Sequence, residues 1–284
     1  METLYIDDTI LSIVSSNADE TSNVCILIDY DNLFHTMKRY AIDVTEDQYD
    51  VCKFLNKVYS MNKIRSFRAY ADFEQVGVSL RKLQEQRVQI RNVYGNNRED
   101  KYRKNASDIE LSIDGIELTY KEPNIDTYVI VTSDSDMIPI MSRLKYKGKK
   151  VHLYYTSQNT SQTVQFESFC DYSCDLLKLF KVDVKKGEPS YWFDEVKNIV
   201  KEWYSDSSNS SKHYGFTWLR NDVVQTCKIS EKYAGEIINT MLEAKLLVSE
   251  QNGGYPSIKI YTKKSEEKNC KKENEKVVDN QPQT

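Results

Sequence analysis

From Val24 to about Phe180, short apolar runs alternate with stretches of helical periodicity. VCILID (24–29) is continuously apolar until its last residue, the pattern of a strand buried on both faces. IRSFRAYAD (64–72), VQIRNVY (88–94), TYVIVTSD (127–134) and KVHLYY (150–155) read as four further strands. Helices are expected between them. One opens at Thr45, with Gln48 three residues on as in a capping box, and runs toward Tyr59. VGVSLRKLQEQ (76–86) is the next. Ser107 with Glu110 marks the capped start of a third that ends near Tyr120, and a fourth ends near Gly148. Strands alternating with helices imply parallel βαβ units under right-handed crossovers. The prediction for residues 23–182 is an α/β domain with a doubly wound parallel sheet, strand order 3-2-1-4-5.

The pattern changes after a break at Lys185, Lys186, Gly187, Glu188 and Pro189. Three helical stretches follow, WFDEVKNIVKEWY, TWLRNDVVQTC and SEKYAGEIINTMLEA, and then LLVSE and SIKIY flank Gly253 and Gly254. Three helices and a hairpin are the layout of a winged helix-turn-helix, predicted over residues 190–262. Asp and Glu outnumber Lys and Arg there, which disfavours DNA binding and leaves RNA, a protein partner or a homodimer contact open. Residues 1–22 read as a short acidic arm, and 263–284 as a mixed-charge tail too polar to pack.

Composition narrows the class. Of 284 residues, 29% are charged and 39% hydrophobic, and no apolar run approaches the roughly 20 residues that cross a bilayer. The first 23 residues contain no Lys or Arg, so the basic start of a secretory signal is missing. The expectation is a cytoplasmic protein with reduced thiols. The six cysteines form no CxxC pair, and none of the three histidines falls near Cys170 and Cys174, so zinc is not expected. The net charge of −4 argues against a generally basic nucleic-acid coat. It hides one basic stretch: Arg81, Lys82, Arg87, Arg91, Arg98, Lys101, Arg103 and Lys104 stand against Glu85, Glu99 and Asp100.

The candidate chemistry lies in the aspartates. Asp29 ends the first strand, and Asp134 and Asp136 follow the fourth, in TSDSD. Open α/β sheets bind ligands at the carboxyl ends of strands, where the strand order reverses. With order 3-2-1-4-5, Asp29 and Asp134 are expected to face each other there. Asp108, at the start of its helix, enters from the same edge. Carboxylates so crowded repel one another unless a cation neutralises them or some take up protons. Oxygen ligands without His or Cys suit Mg²⁺ or Mn²⁺. One or two such ions, about 3.5–4 Å apart when paired, serve in-line attack of water on a phosphodiester. Asn32 is placed to orient the water or a phosphate, and Thr132 or Ser133 to bond a metal-bound water or a neighbouring carboxylate. Asp136 also reads as a simple helix cap. Asp31 reads as a turn residue, Asp72 as offset from the site, and Asp114 as pointing roughly 240° around the helix from Asp108.

These segments resemble the NYN family of PIN-like nucleases. ILIDYDNLF supplies Asp29 and Asn32, KNASDIELSID supplies Lys104, Asp108 and Asp114, and VTSDSDM supplies Asp134 and Asp136. Ser133 stands where that family usually has Gly, and Met137 where it has Phe. The resemblance covers roughly residues 23–180 and implies metal-dependent cleavage of RNA. It also implies metal ligation by Asp29, Asp108, Asp134 and Asp136. The basic stretch then borders the site, with Arg91, Arg98, Lys101, Arg103 and Lys104 following the phosphates and Tyr102 or Tyr94 stacking on bases. NYN domains joined to a winged-helix, LOTUS-like module are familiar, which residues 190–262 match loosely.

Two rivals differ in what they require. A haloacid-dehalogenase-type phosphatase would use ILIDYDN with Asp29 as nucleophile and Asp31 as general acid/base, but it has no use for Asp108. A regulatory RNA-binding protein would keep the nuclease fold without the activity.

Overall fold

In a computed structural model, residues 4–93, 107–157, 166–252 and 255–261 are described. The chain divides into two units, residues 1–187 and 188–284.

The first unit is built on six parallel strands: β1 (Val24–Asp29), β2 (Ile64–Ala71), β3 (Gln89–Asn92), β4 (Thr127–Val131), β5 (Lys150–Tyr155) and β6 (Tyr172–Asp175). Their order is 3-2-1-4-5-6. The expected order holds and gains a sixth strand beyond β5. β6 is only YSCD, too short and too polar to announce itself, and it is fixed by pairing with His152–Tyr155. Strand β1 is buried along its whole length, as a central parallel strand must be.

Alternate residues of β1 face two cores. Val24, Ile26 and Ile28 pack with helices α1 (Asp8–Asp19), α2 (Tyr30–Lys38), α3 (Val51–Val58), α5 (Leu80–Glu85) and α8 (Leu176–Leu179), whereas Cys25 and Leu27 pack under α6 (Ser107–Lys121) and α7 (Ile138–Tyr146). A short helix α4 (Phe73–Val76) follows β2. Gly115 lets α6 lie close on the sheet: a Cβ there would stand 3.2 Å from the Leu27 side chain.

Three local expectations need correction. Residues before Val24 are not simply an acidic arm. Asp7 caps α1 by accepting from the amides of Thr9 and Ile10, and Val14 and Ala18 are fully buried against the domain. The helix expected from Thr45 starts at Val51 instead, because Asp50 accepts from Lys53 N at 2.9 Å while the Thr45 hydroxyl is held by Asp43 at 2.6 Å. A helix unmarked in the sequence, α2, follows β1 directly with Asp29 as its cap.

On the side of the sheet where Val24, Ile26 and Ile28 pack, a polar knot crosses the first core. Tyr59 Oη bonds His152 Nδ1 at 2.8 Å and Tyr154 Oη at 3.0 Å, and His152 is 4% exposed. Burial lowers the His152 pKa from 6.5 to about 4. The unfolded chain therefore takes up this proton first. Its stabilising contribution is complete above pH 6.5, drains as pH falls, and is gone near pH 4. Between pH 7.5 and 5 the loss should be about 2 kcal/mol. Urea denaturation at the two pH values should show it, and His152→Gln should flatten the difference by most of that amount.

The second unit contains α9 (Phe193–Ser205), α10 (Phe216–Cys227) and α11 (Glu231–Glu243), then an antiparallel hairpin of β7 (Leu247–Asn252) and β8 (Tyr255–Ile260). Its core joins Val196, Ile199, Leu219, Val223, Ile237, Met241, Leu247 and Ile258, all buried. Lys228 in the left-handed conformation ends α10, and Ser230 caps α11 two residues later, giving a tight turn between the helices. Among the described residues no helix is long and apolar enough to cross a membrane.

Candidate active site

The topology switches between β1 and β4, which are neighbours although helices leave them toward opposite faces. Their register pairs Ile28 with Val131, so the residue level with Asp29 is Thr132 rather than Asp134. The Thr132 hydroxyl is 3.4 Å from Asp29 Oδ2 and accepts the Asp134 amide at 3.1 Å. It ties the two aspartates to one another through a small polar bridge.

Asp29 is 4% exposed and caps α2 by accepting from Asn32 N at 3.2 Å. Its pKa is raised to about 7, first by burial and then by the charges of Asp31, Asp134 and Asp108, against the Asn32 hydrogen bond that lowers it. Asp108 is half-buried in the first turn of α6, and Asp134 is half-buried where β4 gives way to a short 3₁₀ turn. Among the described residues no basic side chain pairs with Asp29, Asp108 or Asp134. Three elements thus deliver carboxylates that act on Asp29 without a basic partner among the described residues.

They are not closed around a common point. Among the described residues no three His, Cys, Asp or Glu side chains are grouped tightly enough to hold a metal ion. The expected set of Asp29, Asp108, Asp134 and Asp136 is therefore not drawn into one such group. Asp136 is exposed and gives its amide to Asp134 Oδ1 at 2.9 Å. The donor chemistry still suits a hard divalent cation: every donor is a carboxylate oxygen, and burial without a counter-charge leaves Asp29 holding its proton to near neutrality.

The neighbouring polar residues position this cluster. Asn32 Oδ1 accepts the Ser133 amide at 2.9 Å, pinning the β4 loop to α2. The Ser133 hydroxyl meets Thr156 Oγ1 at 2.6 Å and accepts the Thr156 amide at 2.9 Å, so the side chain that replaces a glycine fastens the loop to the end of β5. Asp31 is 6% exposed, and its Oδ2 accepts the Asp72 amide at 3.1 Å and the Ser107 hydroxyl at 2.9 Å. It fastens the end of β2 and the start of α6 beneath the site. Ser107 serves that bond as the first residue of α6, rather than standing before the helix as its cap.

Asp114 points away from the cluster. Its Oδ2 receives Arg68 Nη1 at 2.7 Å, Tyr70 Oη at 2.7 Å and Arg91 Nε at 3.3 Å. Arg91 is thus held in an ion pair, with its side chain 46% exposed. Arg68 was not legible as part of this network. The one signal was an arginine inside a strand whose neighbours are apolar, which needs a carboxylate partner. Arg98, Lys101, Tyr102, Arg103 and Lys104, like Tyr94, lie outside the described residues.

Over 81 residues the chain is 35% identical to an uncharacterized protein of Methanocaldococcus jannaschii, a match covering 28% of this chain and 32% of that one. The chain thus spans about a third of that relative's length. A solved protein of unknown function from Vibrio parahaemolyticus aligns over 55% of this chain and 94% of its own, with 22% identity and a TM-score of 0.42. The NYN domain model matches residues 23–177, which takes in all six strands and every carboxylate of the site. With more than half of its length matched and a PIN-like parallel sheet beneath the match, the chain belongs to the NYN domain family.

Proposed function

We propose that the first unit is a metal-dependent ribonuclease that hydrolyses RNA phosphodiester bonds at the carboxyl edge of β1 and β4. The observation that carries this is Asp29, a buried carboxylate with its pKa raised to about 7 beside Asp134 and Asp108 and with no basic partner among the described residues. Such an arrangement opposes folding unless a bound cation offsets it, and it is kept where chemistry requires it.

Asp29, Asp108 and Asp134 would hold Mg²⁺ or Mn²⁺, with Asp136 at the rim. When bound, the ion supplies the positive charge that activates a water and offsets charge on the departing oxygen. The chain's own groups set the frame. Thr132 keeps Asp29 and the Asp134 backbone together, and Asn32 fixes the β4 loop through Ser133 N. Asn32 therefore acts as a positioning residue. Arg98, Lys101, Arg103 and Lys104 would follow the RNA backbone toward the site, with Tyr102 stacking on a base. The second unit is read as a winged helix that contacts RNA, a protein partner or a second copy, in a cytoplasmic protein. A phosphatase is disfavoured because Asp31, its required acid, is buried and engaged by Asp72 N and Ser107.

The test is cleavage of labelled single-stranded and structured RNA by the full chain with Mg²⁺, Mn²⁺ or EDTA. Metal-dependent cutting should fall at least about 100-fold in Asp134→Asn. Cutting that survives both EDTA and the substitution would refute the reading. RNA retained without cutting would favour the silent, RNA-binding form of the fold.

A further inference from the structure

Sheet register places the Asp114 network in line with the candidate site. Asp29 pairs with Tyr70, and Tyr70 pairs with Arg91, so the three occupy one row across β1, β2 and β3. Tyr70 belongs to the α6-facing side of the sheet, the side that Asp29 also takes by alternation from Cys25 and Leu27. Arg68, two residues before Tyr70, and Gln89, two before Arg91, share that side and meet at 3.2 Å. Asp114 reaches down from α6 onto Arg68, Tyr70 and Arg91. Two guanidiniums thus share one carboxylate, and the farther of them, Arg91, is two strands from Asp29. That spacing is about 10 Å, which an extended polynucleotide crosses within its next phosphates.

The details favour an oxyanion as a further partner of Arg91. The Arg91 pair with Asp114 uses Nε at 3.3 Å, and the Arg91 side chain is 46% exposed. Arg68 is largely covered, its side chain 14% exposed, and it sits at the shortest distance from Asp114. Burial alone would lower its pKa, yet the Asp114 and Tyr70 contacts raise it. Arg68 therefore satisfies Asp114, and Arg91 carries the excess positive charge at the surface. A half-exposed guanidinium anchored through Nε is suited to phosphate binding through its remaining nitrogens.

We propose that Arg91, held in place by Asp114 with Arg68 and Tyr70 behind it, forms a phosphate subsite for the strand segment on the β3 side of the cleaved bond. This rests on the ribonuclease reading for the identity of the strand, and it assigns Asp114 a positioning role rather than metal ligation.

The experiment measures binding of a fluorescent single-stranded oligoribonucleotide to the full chain in EDTA across a salt series, and, separately, steady-state cleavage with metal. Arg91→Ala should weaken binding roughly tenfold. It should also make the plot of log affinity against log salt shallower by about 0.7, the signature of one lost phosphate contact. Arg91→Lys should restore the slope and only part of the affinity. In cleavage, KM should rise by more than kcat falls. An unchanged salt slope in Arg91→Ala, or wild-type protein that binds no RNA, would overturn the subsite. If RNA binds with the expected slopes but is never cut, the subsite stands and the nuclease reading fails.

Discussion

Asp29→Asn is expected to abolish cleavage and yet raise the stability of the metal-free protein. The carboxylate is 4% exposed and feels Asp31, Asp134 and Asp108 at once, so ionising it in the fold costs more than ionising it in water. Asparagine keeps the shape and the capping bond to Asn32 N, because it caps helices as well as aspartate does. It removes the charge. At pH 8 in EDTA the gain should be about 1–3 kcal/mol, below the ceiling set by the pKa displacement because the amide must also find partners in the buried site. The same substitution should cut metal-dependent cleavage at least about 100-fold. Thermal melts read both halves of the argument. Mg²⁺ or Mn²⁺ should raise the melting temperature of the wild type, since a ligand that binds only the folded state stabilises it, and should do little for the variant. A variant that melts below the wild type in EDTA would show that Asp29 serves the fold.

Asp114→Ala should destabilise the first unit by about 3–5 kcal/mol, the usual consequence of removing one partner of a buried ion pair. Three donors converge on Asp114 Oδ2, and both the Arg68 and Asp114 side chains are 14% exposed. Without the carboxylate, Arg68 keeps a covered charge and the Tyr70 hydroxyl loses its acceptor. Denaturant midpoints would measure the loss. The double variant Asp114→Ala/Arg68→Met should recover much of it, because the stranded guanidinium leaves with its partner. A single-variant loss below about 1 kcal/mol would mean that solvent screens the pair as at a surface. The contrast with Asp29 is instructive. Two aspartates of one face have opposite effects on stability, set by whether arginines or carboxylates surround them.

What the sequence determined is the order of elements and the sheet edge at which the candidate site lies. Five of the six parallel strands were legible because a central parallel strand must be apolar on both faces, and VCILID and TYVIV satisfy that without tertiary help. The reversal of strand order was expected of a doubly wound sheet, and it sets the ends of β1 and β4 side by side. Short elements were not legible. β6 carries no apolar run of its own, and Thr45 offered a cap signal that Asp50 took instead. Partner choice also belonged to the tertiary structure. Helix phase separated Asp114 from Asp108 and position marked Asp31 as a turn residue, but their partners came from elsewhere: Asp31 accepts from Asp72 and Ser107, Asp114 meets Arg68 and Arg91, and Asp108 acts on Asp29. A carboxylate's role depends on the charges and donors within a few ångströms of it, and those come from strands far away in the chain.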